Sequence, residues 1–215
     1  MIDKFCEYLV KKMRKQSPEM TDEEAEVVLY GVQLIIGEIP KILLLFIVGI
    51  LLGFWWQTLA AFILILPYRT VTGGFHLKTH LGCILCTNLF YCGNAILSTY
   101  FTFPNDLIKY LVILGIFILS IICIIKYAPA DTTNVPILTK KERKTKKCFS
   151  YIILVINTIC AIVIPNTIIS NIFTFGTLIQ TCSITRIAYK ITKNEYGYEA
   201  YQKEMQRQEA TSTLS

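Results

Sequence analysis

What most constrains this chain is a series of long runs without one charged residue: Ile42 to Tyr68, Leu81 to Asn105, Tyr110 to Ile125 and Phe149 to Thr185. A helix needs about 20 predominantly apolar residues to cross a bilayer, and it satisfies its own backbone groups where no water can. With 53% apolar residues and a mean hydropathy of +0.51, an ordinary soluble domain is excluded. The expectation is an all-α polytopic membrane protein with about six transmembrane helices.

The spans follow from the punctuation. Gly31 to Gly53 forms the first, with Glu38, Pro40 and Lys41 in its first half, and Phe54 to Tyr68 a short second of 15 residues. At 1.5 Å per residue the second covers only about 22 Å. Leu81 to Tyr100 and Leu107 to Tyr127 give the third and fourth. The 37 uncharged residues from Phe149 to Thr185 are too many for one span, and Pro165-Asn166 divides them into a hairpin. Ahead of the spans, Phe5, Leu9 and Met13 recur every four residues, with Lys11, Lys12 and Arg14 mostly on the remaining arc. This is a basic amphipathic surface helix, ended by Ser17-Pro18. Thr21 and Glu24 then form a capping box for the next helix. Three regions result: residues 1–20 at the membrane surface, 21–190 with six spans, and a tail over 191–215.

Charge orients this plan. With the N-terminus cytoplasmic, 20 of the 21 Lys and Arg residues lie on or beside the cytoplasmic side, Lys109 being the exception, as the positive-inside rule requires. The C-terminus, a polar loop over 128–147 and the segment from Arg69 to Cys83 share that side. The net charge of +6 thus sits beside spans, facing anionic lipid, and argues against nucleic acid as partner. Of the eight cysteines, Cys92, Cys123, Cys160 and Cys182 fall inside spans, as packing residues.

The Arg69–Cys83 segment holds both histidines, His76 and His80, together with Lys78 and the Gly73-Gly74 pair. A thiol and an imidazole this close, in a reducing compartment, suggest Cys83 as nucleophile with a histidine base, Arg69 or Lys78 favouring the thiolate. On a straight helix seven residues would separate His76 from Cys83 by about 10.5 Å, so the glycines must fold the segment back. His80 is nearer along a continuous helix, and spacing leaves both open. The same residues admit other chemistry. His76, His80, Cys83 and Cys86 are ligand types zinc accepts, Cys83-x2-Cys86 has dithiol spacing, and both cysteines could simply pack. Glu38 and Lys41, three apart, either pair near the inner surface or present a functional carboxylate at membrane depth.

Arg69, Gly74, His76 and Cys83 at these spacings, with Tyr127-Ala-Pro-Ala-Asp131, Asn134, Pro136 and the basic run after them, resemble the AgrB family of bacterial accessory gene regulator proteins, membrane endopeptidases that process quorum-sensing pro-peptides. The resemblance covers about residues 1 to 190. It implies His76 as base and Cys83 as nucleophile, with His80 and Cys86 outside the motif, and therefore no metal or other cofactor. Arg69, Gly73, Gly74 and Glu38 are expected to bind substrate or support the site. The substrate would be an AgrD-like precursor whose acidic C-terminal tail departs, leaving a thioester on Cys83 that an internal thiol displaces to give a thiolactone. A homodimer in the bacterial cytoplasmic membrane completes these expectations. A membrane transporter or channel, with Glu38, Lys41 and the basic loop as pathway residues, is the reading from another class.

Overall fold

The computed structural model describes residues 2–17, 20–77, 79–133 and 136–212. Pro18, Lys78, Asn134 and the side chain of His80 lie outside what is described. The helices are α1 (Ile2–Gln16), α2 (Asp22–Leu51), α3 (Trp55–Thr72), α4 (His80–Tyr100), α5 (Asp106–Tyr127), α6 (Lys140–Val163), α7 (Thr167–Ser183), α8 (Arg186–Ile191) and α9 (Gly197–Ser212). Among the described residues there is no strand; Gly73 and Ala130 form an isolated parallel bridge. Helices α2, α4, α5 and α6 are long and apolar enough to cross a membrane. The protein is an all-α polytopic membrane protein.

Helix α1 packs along α2. Among its described side chains Cys6 and Val10 are buried, while Phe5 and Met13 are exposed and Leu9 is partly so. The capping box forms: Glu24 N donates to Thr21 Oγ1 at 3.2 Å, and Thr21 N donates to Glu24 Oε2 at 2.9 Å. Pro40 lies within α2, so the approach to the membrane and the first span are one continuous helix. Lys41, buried, pairs with Glu38 one turn earlier.

Helices α3 and α7 are the short members of the bundle, with 18 and 17 residues, or about 27 and 26 Å. Their brevity matches their position, because α7 packs against α3, α4, α5 and α6 together. Along it Ser170, Asn171, Thr174, Thr177, Gln180 and Thr181 are all buried. Polar side chains in such a place must find partners, and each of these makes at least one hydrogen bond, although Asn171 Oδ1 is left without one among the described residues. Asn171 Nδ2 donates to the carbonyls of Ser98 and Phe101, and Thr181 shares hydrogen bonds with Tyr68 and Ser120. Gly176 lets α7 approach α3, since a Cβ there would sit 2.5 Å from Ile65 Cγ1. The outer helices instead expose large apolar side chains, such as Leu111, Leu114 and Ile118 on α5 and Ile152 and Ile156 on α6. That is the pattern of a lipid-facing surface.

Two boundaries differ from the sequence reading. Helix α3 does not stop at Tyr68 but runs to Thr72, ending at Gly73 with φ +74°. The basic run Lys140–Lys147 is not loop but the first two turns of α6. Thr139 caps it, accepting from Glu142 N at 3.4 Å, and Lys146 pairs with Glu142 at 3.1 Å. Lys, Arg and Glu are good helix formers, so their charge ends the apolar run without ending the helix.

Candidate active site

Arg69 occupies the last turn of α3 and Cys83 the first turn of α4, leaving residues 73–79 to connect them. The course of that connection is dictated by hydrogen bonds to two other parts of the chain. Ala130 N donates to Thr72 O and Gly74 N donates to Ala130 O, both at 2.8 Å. Gly73 is obligatory here, because a Cβ would lie 2.2 Å from Ala130 O and its φ is in the left-handed region. Gly74, at φ +145°, passes over α7, where a Cβ would meet Ser183 Oγ at 2.9 Å and Arg69 Nη1 at 3.4 Å. Both glycines therefore shape the connection.

Gln180 of α7 ties the connection to the bundle. Its Nε2 donates to Gly73 O at 2.7 Å and Thr72 Oγ1 at 2.9 Å, while its Oε1 accepts from Arg69 Nη1 at 3.1 Å. Arg69 Nη2 reaches Phe75 O at 3.4 Å, the carbonyl just before His76, and the guanidinium lies 5.9 Å from the Phe90 ring of α4. Sequence reasoning missed Gln180, a neutral residue inside an apolar run.

His76 follows the buried Phe75 and keeps an accessible face. Crowding by protein, then the charges of Arg69 and Lys41, hold its pKa below the ordinary 6.5, while Glu38 pulls the other way. The imidazole is thus neutral at neutral pH and able to accept a proton. Glu38 and Lys41 belong to its electrostatic surroundings. Cys83 is half-buried, and among the described residues its thiol shares no hydrogen bond with His76. The backbone amides at the start of α4 are engaged: Gly82 N donates to Thr79 Oγ1 at 3.1 Å and Cys83 N to Thr79 O at 3.0 Å. Among the described residues no three His, Cys, Asp or Glu side chains lie close enough to hold a metal ion.

Asp131 secures the opposite side. Its buried Oδ2 accepts from Ile137 N at 2.9 Å and Tyr198 N at 3.0 Å, and pairs with Arg143 at 3.1 Å. Tyr189 Oη donates to Asp131 O at 3.1 Å, and Tyr189 stacks on Tyr196 with centroids 4.2 Å apart. Through Ala130 this clamp joins α6, α8 and α9 to the connection holding His76.

Residues 2–184 match the family model of Accessory gene regulator B. An AgrB-like protein of Listeria monocytogenes serovar 1/2a is 29% identical over 202 residues, 93% of this chain and 95% of its own length. One from Clostridium acetobutylicum is 26% identical over 203 residues, with 93% and 94% covered. No solved structure matches. The chain therefore belongs to the Accessory gene regulator B family, and its role is in the accessory gene regulator system.

Proposed function

We propose that this protein is a membrane cysteine endopeptidase that cuts an AgrD-like precursor and cyclises the retained part to a thiolactone. One observation carries the reading: Arg69, Gly74, His76 and Cys83, the residues of the family resemblance, surround one short connection between α3 and α4, and its imidazole is poised as a base.

In this reading His76 takes the Cys83 proton and Sγ attacks the scissile carbonyl. The C–N bond breaks, the proton passes to the leaving amine, and the acyl group stays on Cys83 as a thioester. A thiol in the peptide then attacks the same carbonyl, returning Cys83 and closing the ring, provided it outcompetes water. An apo dyad that is not yet hydrogen-bonded is usual, since such contacts tighten with substrate. Because Thr79 occupies the amides of Gly82 and Cys83, donors to the oxyanion must come from elsewhere, and the Arg69 guanidinium, bonded to the connection at Phe75 O, is a charged donor beside it. The positive-inside rule supports a cytoplasmic side for this chemistry.

The test is cleavage of a co-expressed cognate precursor by wild type and by Cys83→Ser, Cys86→Ser, His76→Ala and His80→Ala, with mass analysis of adducts. Loss in Cys83→Ser and His76→Ala alone, with precursor trapped on Cys83, is the expected result. Full cleavage by Cys83→Ser ends the cysteine-protease reading in favour of transport.

A further inference from the structure

We propose that the recess at the basic end of α5 and α6 binds the phosphate headgroup of an anionic phospholipid. The recess, of about 390 Å³, lies where the end of α5, the first turns of α6 and the α8–α9 region meet. Lys126, Arg143, Lys144, Lys147 and Arg186 line it, against the single carboxylate of Glu199. Three of the cations have partners: Arg143 holds Asp131, Arg186 holds Glu199, and Lys147 Nζ donates to Ile125 O at 2.7 Å. Among the described residues Lys126 and Lys144 make no ion pair, and both are exposed. Like charges gathered in this way repel one another, and an anion with several oxygens relieves the repulsion while filling the recess.

The surroundings select a lipid over a free anion. Ile125 forms part of the wall and is 56% exposed, and Ile122 and Ile118 are exposed at helical spacing along the same outer side of α5. An apolar lane thus leads from the recess along a spanning helix, where an acyl chain would lie with its phosphate among the cations. Basic pockets between helices at the membrane surface recognise headgroups by this combination of charge and depth. A soluble phosphate would use the cations and leave the lane without a role.

Native mass spectrometry of the full-length protein in detergent tests this, with phosphatidylglycerol or phosphatidylcholine added and melting curves to confirm folding. The expected result is retention of one phosphatidylglycerol per chain and little phosphatidylcholine. In Lys126→Ala/Lys144→Ala, retention should weaken roughly 30-fold, from about fivefold per basic residue; Lys144→Glu alone should weaken it in the same direction. Lys140→Ala/Lys141→Ala removes equal charge from the same helix outside the recess and should leave binding unchanged. Equal loss in both double variants, or equal retention of phosphatidylcholine, overturns the proposal. Displacement of the lipid by inorganic phosphate, or by an acidic peptide, overturns the lipid assignment in favour of that ligand.

Discussion

Replacing Gln180 with leucine removes three hydrogen bonds at nearly constant volume, and all three serve the connection between α3 and α4. The two donated to Thr72 and Gly73 are neutral bonds within the bundle, worth about 0.6 kcal/mol each on average in membrane proteins. The one accepted from Arg69 is charge-assisted and worth about 1.5–3 kcal/mol. Arg69 keeps its longer bond to Phe75 O, which favours the lower end, so the expected destabilisation is roughly 3 kcal/mol. That is less than a typical domain's stability of about 5–15 kcal/mol. Gln180→Leu should therefore fold, with a melting temperature lowered by roughly 10 °C, while the connection loses its register. Displacing catalytic groups by about 1 Å can reduce rates about 100-fold, so kcat/KM for precursor cleavage should fall by roughly that factor. Hydrogen exchange gives a readout independent of the proposed reaction, because Gly74 N is held on Ala130 O. Its protection should drop in the variant. Unchanged protection at Gly74, or wild-type kcat/KM, would refute the claim that Gln180 fixes this loop.

Asp131→Asn discharges a buried partner of Arg143 and should destabilise the protein by about 3 kcal/mol, read by thermal or chemical denaturation; a change under about 0.5 kcal/mol would contradict the clamp. Gly73→Ala meets Ala130 O at 2.2 Å and should abolish cleavage. Gly31→Ala, which meets nothing within 4 Å, should be neutral or slightly stabilising. Because His76 must be neutral to act as base and its pKa is held low, the acid limb of the pH–kcat/KM profile should have its midpoint below 6.5. Glu38 raises that pKa, so Glu38→Gln should move the midpoint further down, and an upward shift would show that another group titrates.

Uncharged length and charge placement were enough to read the bundle, the hairpin at Pro165-Asn166, the Thr21 capping box and the Glu38–Lys41 pair, because each depends on local composition. The details of the candidate site were less legible, for two physical reasons. Charge ends an apolar run but does not end a helix: Arg69 belongs to α3 because the backbone stays helical until Gly73 takes a positive φ, and Lys140–Lys147 belong to α6. In addition, a neutral polar residue leaves charge counting unchanged. Gln180 was hidden in this way, although Asn171, Thr174, Thr177, Gln180 and Thr181 recur at three- and four-residue steps, a polar face that marks a helix buried among others. Asp131 lies in a loop, where no periodicity exists to reveal it, and only the family resemblance drew attention to its segment. The boundary shift also bears on chemistry. With Arg69 on the last turn of one helix and Cys83 on the first turn of the next, neither is carried by the connection, and each backbone is held within a helix of the bundle. Only His76 is left on the connection itself, held by Gly73, Gly74 and Gln180. Perturbing those three should therefore act on the position of the base and leave that of the nucleophile unchanged, and alkylation of Cys83 by a small reagent should proceed equally in wild type and Gln180→Leu while precursor cleavage does not.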